Sequence, residues 1–367
     1  MQYRHNLRTG DRISVIGGGT AYLYQAGQKE GVRALRTALE GGINYYDLAT
    51  SDARTFPIFR EAFSGKREQV MYQVHFGADY THGSYGWSLD ANTVRRSIEL
   101  QLKELGTDYI DYGFIHCQDE HSDWATYKKH GILELLEQMR QKGIVRHIGL
   151  SSHTPEVINA ILDEVEIDML MFSVNAGYDL SYGEYANGSR EERDALYTRC
   201  ASSGIGISVM KPFSGGQLLD ARLSPFGFAL SPYQCIHYCL DRPGILTVLP
   251  GIRNTQDVEL LLGYDRATDA QTDYARIAEV TDGANGGRCV YCGHCSPCPA
   301  GLDIALINKY YDLAKLGDQL ACDHYASLEK NAKDCIHCGH CGHCDRRCPF
   351  GVSQSAHMDE IAAWFAL

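Results

Sequence analysis

Residues Thr93–His116 read TVRRSIELQLKELGTDYIDYGFIH. The first half places Val94, Ile98, Leu102 and Leu105 on one stripe at helical spacing. After Gly106 the pattern changes to a short apolar run, Tyr109–His116, of the kind buried in a parallel sheet. An amphipathic helix leading into a buried strand is the repeating element of an α/β protein.

The same alternation extends both ways. Strand-like runs fall at Arg12–Ile16, Ile43–Asp47, Val70–His75, Tyr109–His116, Val145–Leu150, Met169–Val174, Gly206–Lys211 and Ile245–Pro250. Amphipathic stretches separate most of them. Gly31–Leu39 carries Val32, Leu35 and Leu39 on one face, and Ile132–Met139 and Val157–Val165 repeat the pattern. Eight strands with interleaved helices in about 250 residues predict an α/β (β/α)8 TIM barrel. A doubly wound open sheet is the rival, but no G-x-G-x-x-G follows a strand. Gly17–Gly19 reads as a tight turn.

In such barrels the chemistry sits at the C-terminal ends of the strands. That rule selects Asp47, His75, and His116 with Cys117, at the ends of strands two, three and four. Ser151 and Ser152 end the fifth, Asn175 lies near the end of the sixth, Lys211 ends the seventh, and Gly251 and Arg253 end the eighth.

The last part of the chain has another character. One run reads Cys289, Cys292, Cys295, Cys298, then Pro299; a second reads Cys335, Cys338, Cys341, Cys344, Cys348, then Pro349. The second contains C-x-x-C-x-x-C-x-x-x-C-P, the ligand run of bacterial two-cluster ferredoxins. Soft thiolates at short spacing suit iron–sulfur clusters, so two 4Fe-4S clusters are expected. Zinc and disulfides are the other readings of clustered cysteines. In two-cluster ferredoxins the last cysteine of each run ligates the other cluster. That pattern joins Cys348 to Cys289, Cys292 and Cys295, and Cys298 to Cys338, Cys341 and Cys344, with Cys335 spare or replacing one of the second set. The expected division is a barrel over residues 1–280 and a small, mainly helical ferredoxin-like domain over 281–367. Within the latter, Ile304–Gly317 reads as a helix, and Met358–Leu367 as an amphipathic segment packing back on the barrel.

The barrel part resembles the aldo-keto reductase family. The resemblance rests on Gly42–Asp47 (GINYYD), Leu102–Asp111 (LKELGTDYID) with His116 following, Gly149–His153 (GLSSH), Met210–Phe213 with Gly215 and Gly216, and Pro250–Asn254 (PGIRN). With the cysteine-rich tail, it resembles a subgroup carrying a C-terminal iron–sulfur domain. The resemblance implies NAD(P)-linked reduction or oxidation of a small carbonyl or alcohol. It implies an Asp–Tyr–Lys–His tetrad in which Tyr protonates the carbonyl, Lys lowers the pKa of Tyr, Asp pairs with Lys, and His orients the substrate. Asp47 and His116 match two positions; Asp52 stands at the Tyr position and His75 at the Lys position. The catalytic set is therefore Asp47, Asp52, His75 and His116, with Tyr45, Tyr80, Tyr85 and Tyr178 as possible stand-ins for the missing tyrosine. The implied NADP or NAD site comprises Ser151, Ser152, Asn175, Met210, Lys211, Gly251, Arg253 and Asn254. Leu260 and Leu261 fall where a polar Glu-Asn pair on the adenine is frequent.

The formal net charge of −12 disfavours nucleic acid as a partner. No run approaches 18 apolar residues, and no apolar signal stretch precedes the first strand, so a cytoplasmic protein off the membrane is expected. The partners expected are a small-molecule substrate and a redox protein served by the clusters. Two further readings stay open. One is a non-redox lyase, dehydratase or isomerase using the Asp/His set with structural clusters. The other is an electron-transfer module without a substrate of its own.

Overall fold

The computed structural model describes residues 1–279, 289, 291–315, 319–337, 339 and 341–366. Cys338, Gly317 and the expected boundary at residues 280 and 281 lie outside the described residues.

The strands are β1 (Tyr3–His5), β2 (Arg12–Ser14), β3 (Gly18–Gly19), β4 (Tyr45–Asp47), β5 (Met71–Phe76), β6 (Ala78–Asp79), β7 (Gly86–Trp87), β8 (Ile110–Ile115), β9 (Val145–Ser152), β10 (Met169–Ser173), β11 (Gly206–Met210) and β12 (Ile245–Val248). Eight of them form one parallel sheet in the order β3-β4-β5-β8-β9-β10-β11-β12. Parallel bridges Ile16 to Val248 and Gly19 to Gly251 close it into a barrel. The (β/α)8 expectation holds, with one shift at the start. Arg12–Ser14 does not open the barrel but pairs antiparallel with β1, and the barrel strand is the two-residue β3 beyond it.

Helices form where the stripe predicted them. The helix Ala91–Leu105 starts two residues early because Asp90 caps it, its carboxylate accepting the Thr93 N–H at 2.8 Å. It stops at Gly106, which takes a left-handed φ of 66° as the C-cap. Its buried face, with Val94, Ile98 and Leu105, joins the main apolar core between helices and strands. A smaller cluster, with Tyr45, Tyr112, Phe114, Met169 and Met171, fills the barrel interior.

The tail is helical, with Ile304–Lys315, Gln319–Ala326, Ala332–His337, His343–Arg347 and Gln354–Trp364. It has its own core, in which Cys295, Cys335 and Cys344 pack with Leu302, Ile307 and Met358. The last helix turns Met358, Ile361 and Ala362 into that core rather than onto the barrel as expected.

Candidate active site at the barrel mouth

Asp47 ends β4, His75 lies one residue from the end of β5, and His116 follows β8. Adjacent parallel strands bring these ends together. His75 Nε2 lies 2.7 Å from Asp47 Oδ1, and His116 Nδ1 lies 3.1 Å from His75 Nδ1. The chain continues to Tyr85, whose hydroxyl is 2.8 Å from His116 Nε2. Gln73 secures the inner end, donating to Asp47 Oδ1 at 3.1 Å while its own oxygen accepts from Tyr45 and Ser208.

One assignment of protons satisfies every link. His75 Nε2–H donates to the Asp47 carboxylate, His116 Nδ1–H donates to His75 Nδ1, and the Tyr85 O–H donates to His116 Nε2. Both imidazoles are then neutral. Asp47, His75 and His116 are all buried, whereas Tyr85 is 42% exposed and forms the outer end. Burial, with the neighbouring His75, pushes the His116 pKa well below the ordinary histidine value. Burial, then Cys117 and Asp47, push the Tyr85 phenol up to about 12, so it is protonated at neutral pH.

Tyr85 reaches this place through a short hairpin. Strands β6 and β7 pair antiparallel, and the Tyr85 N–H donates to Ser51 O at 3.1 Å. Ala53 N–H donates to Gly83 O at 2.8 Å, and Asp52 bridges Ser84. The segment at the expected tyrosine position therefore holds the hairpin that supplies a tyrosine. Gly77 precedes the hairpin with φ of 145°, and a Cβ there would come within 2.9 Å of the His116 Cβ. Sequence reasoning listed Tyr85 among four stand-ins; its place three residues after His82 in a Gly-rich loop carried no distinguishing signal.

Asp52 is outside this hydrogen-bonded chain. Its carboxylate forks onto Arg54, with Nε at 2.9 Å and Nη2 at 2.8 Å. That hydrogen bond holds its pKa below the usual carboxylate range, opposite to what a proton donor needs. Tyr45 and Tyr80 hydroxyls are spent on Gln73 and on the Thr50 carbonyl. Cys117 and His153 converge on Asp119, at 3.6 and 2.9 Å. Burial and Asp119 push the Cys117 thiol up to about 12, which makes it a poor nucleophile.

A cleft of about 580 Å³ opens beside Asp47 and runs past Met210 and Lys211 to Gly251, Arg253 and Leu261. Gly215, Gly216 and Gly251 leave open space where a side chain would project. Its open glycine wall leaves room for a ligand to lie close to the backbone. Of the expected cofactor residues, Met210, Lys211, Gly251 and Arg253 line the cleft. The others are committed elsewhere. Ser151 accepts the Cys117 N–H at 2.8 Å, and Ser152 donates to Asp119 at 3.1 Å. Asn175 caps Tyr178 and donates to Lys211 O at 2.8 Å, and Asn254 caps its own helix through Asp257 N–H at 3.0 Å.

In the tail, all the described cysteines are free thiols, which sets the disulfide reading aside for them. Cys289, Cys292 and Cys295 interact with one another, and Cys292 and Cys295 both feel Cys348. The crossed ferredoxin pattern groups Cys348 with these three, but Cys295 also feels Cys344, from the other expected set. Cys344 interacts with Cys335, and Cys341 is exposed. Backbone N–H groups of Tyr291 and Val352 point at the Cys289 and Cys348 sulfurs, each at 3.4 Å, as cluster thiolates require. The donor set fits an iron–sulfur cluster. Cys292 and Phe350 also pack on an apolar cluster with Phe226 and Phe228, which reaches Phe213 on the cleft wall.

The buried histidine has a measurable consequence. A folded-state pKa below the unfolded value, about 6.5, gives stability that is present above pH 6.5 and lost as pH falls toward the folded pKa. The unfolding free energy is expected to fall on acidification from pH 7.5 to 5.5, by up to about 1.4 kcal/mol per pH unit for this one group. His116→Gln is expected to flatten that slope; an equal slope in wild type and variant would count against it.

Comparison with known proteins agrees with this architecture. The model of the Aldo/keto reductase family matches residues 15–228, more than half of the chain. An uncharacterized oxidoreductase of Bacillus subtilis is 29% identical over 175 residues, covering 46% of this chain and 55% of that protein. The L-glyceraldehyde 3-phosphate reductase of Escherichia coli K12 is 27% identical over 240 residues, covering 61% and 65%. The chain thus spans less than two thirds of the length of these curated relatives. Among solved structures, the holo form of an aldo-keto reductase from Bacillus halodurans superposes with a TM-score of 0.61 at 21% identity, covering 76% of this chain and 96% of that one. That likeness is one of fold. From its closed parallel barrel and a family match spanning most of that barrel, this chain belongs to the Aldo/keto reductase family.

Proposed function

We propose that the chain is a nicotinamide-linked reductase or dehydrogenase of a small carbonyl or alcohol, with Tyr85 in place of the missing catalytic tyrosine. The observation that carries this reading is the unbroken chain Asp47–His75–His116–Tyr85, which ends at the barrel mouth and starts on the wall of the cleft.

A bound NAD(P) would supply or accept the hydride; the protein supplies the proton. One proton added to the neutral relay resides on His75, where the Asp47 carboxylate stabilises the imidazolium. His75 Nδ1–H then donates to His116 Nδ1, His116 Nε2–H donates to the Tyr85 oxygen, and the Tyr85 O–H is freed to point at a substrate oxygen. As that oxygen takes the Tyr85 proton, each link hands its proton one step outward, and the relay returns to its neutral state. His75 thus replaces a lysine as the cation that makes Tyr acidic, acting through a second ring rather than directly. Reduction is expected to slow as pH rises and the relay loses its extra proton, and oxidation is expected to show the opposite trend. Lys211 and Met210 bound the cleft beside the reacting end, and burial lowers the Lys211 pKa by disfavouring its charged ammonium.

The cysteine-rich tail, residues 281–367, is read as a two-cluster ferredoxin-like unit that exchanges single electrons with a partner protein in the cytoplasm. The apolar cluster on which both Cys292 and Phe213 pack supports electronic access toward the cleft. Among the described residues no helix is long and apolar enough to cross a membrane. In anaerobically prepared protein, Cys292→Ala is expected to remove about one cluster, roughly four irons per chain, while the barrel keeps its far-UV circular dichroism. Unchanged iron, or zinc in place of iron, would overturn the cluster assignment.

The experiment for the enzymatic reading is an anaerobic titration of iron-replete protein with NADH and NADPH, following nicotinamide fluorescence and cluster absorbance together. Saturable binding of either cofactor is expected. No binding of either at millimolar concentration would reject the nicotinamide-linked reading in favour of acid–base chemistry by the same relay.

A further inference from the structure

The two ends of the cleft differ. Asp47 and the relay mark one end, and Arg253, Asp257, Leu260 and Leu261 mark the other. A dinucleotide placed with its nicotinamide at the relay must lay its adenosine half at the far end. There the start of the helix Thr255–Leu262 is already supplied with carboxylates by the chain itself. Asp257 accepts the Arg253 backbone N–H at 2.9 Å and forks onto its guanidinium at 2.9 and 3.1 Å. Glu30, from the helix Gly27–Glu40, accepts the Thr255 N–H at 2.9 Å and pairs with Arg33. Asn254 takes the Asp257 N–H. An arriving anion therefore finds both cations at this helix start already engaged, Arg253 by Asp257 and Arg33 by Glu30, with a carboxylate beside each.

We propose that Asp257, supported by Glu30, makes this end of the cleft select a dinucleotide with a free ribose 2′-hydroxyl, so that the cofactor is NADH and not NADPH. This rests on the nicotinamide-linked reading above. A 2′-hydroxyl is a donor and can hydrogen-bond the Asp257 carboxylate, as acidic residues do in other NAD sites. A 2′-phosphate would have to separate Arg253 from Asp257 and then lie against that carboxylate with Glu30 behind it. The leucines add no donor, and Arg33, which reaches the Thr255 hydroxyl, is held by Glu30. Coulomb repulsion between like charges at close range costs enough to reverse a cofactor preference.

The test is a fluorescence titration of the iron-replete full chain with NADH and with NADPH, for wild type and for the isosteric variants Asp257→Asn, Glu30→Gln and the double variant. All three keep hydrogen-bonding capacity at partly exposed positions, and melting curves check that they fold. Wild type is expected to bind NADH at least about tenfold more tightly than NADPH. Asp257→Asn should narrow the ratio mainly by tightening NADPH, and the double variant should narrow it further. Equal affinities in wild type, a preference for NADPH, or a ratio unmoved by the double variant would each overturn this inference while leaving nicotinamide binding intact. Failure of every form to bind either cofactor would instead remove the reading on which it rests.

Discussion

Tyr85→Phe is expected to lower turnover about 10²–10⁴-fold, the range for losing a positioned general acid. The phenol is the outer end of a buried chain, and removing one oxygen leaves the rings of His116 and His75 with no exit for a proton. Phe keeps the edge-on contact with His116, at 6.0 Å between centroids, so the hairpin should stay in place and cofactor affinity should change little. The pH profile separates a proton donor from a mere packing residue. Wild type should show the relay's titration in the rate of reduction, and Tyr85→Phe should show a flat residual rate. Asp52→Asn is the control. Its exposed fork with Arg54 contributes little, so turnover should stay within a factor of about three. If Asp52→Asn were the crippling change and Tyr85→Phe the silent one, the relay would be wrongly assigned.

The largest expected effect on stability lies beneath the mouth. Arg193 is fully buried, and its Nε donates to Asp179 Oδ1 at 2.8 Å. The same carboxylate accepts from Tyr197 at 2.6 Å and Tyr238 at 3.1 Å, while Arg193 also reaches the Ser173 carbonyl at the end of β10. One carboxylate thus ties the helices Arg190–Ser202 and Pro232–Leu240 to a strand end. Asp179→Ala leaves a guanidinium buried without its counter-ion and is expected to cost about 3–5 kcal/mol. Replacing both partners by apolar residues, Asp179→Leu with Arg193→Met, should recover much of that loss, because no charge then remains to be desolvated. Urea denaturation of the three forms would decide it. A loss below about 1 kcal/mol for Asp179→Ala would mean water reaches the site.

The barrel was legible because its signals are local and repeated. The stripe of Thr93–Leu105 and the apolar run of Tyr109–His116 need nothing beyond chain periodicity, and every expected strand after the first repeats the pattern. Strand ends were legible for the same reason, and so Asp47, His75 and His116 could be named before their contacts were known. The first strand was misplaced because Arg12–Ser14 has strand composition, and only its antiparallel partner β1 shows which sheet it serves. The phosphate loop was half read. Arg253 and Asp257 are one helical turn apart, so their pairing was within reach of an i, i+4 argument. The Glu30 contact was not, since that residue comes from a helix 225 positions away.

The sequence by itself determined a (β/α)8 barrel of the aldo-keto reductase type, a cysteine-rich tail after it, and an altered set of polar residues at the barrel mouth. Periodicity and spacing carry that information because they act between near neighbours in the chain. Only the tertiary structure decided which tyrosine reaches His116, that Asp52 turns away to Arg54, and that Glu30 joins Asp257 at the helix start by the far end of the cleft. Each of these outcomes is a competition among several partners for one hydrogen bond. The winner is the group that backbone pairing elsewhere, such as that of Tyr85 with Ser51, carries to within 3 Å.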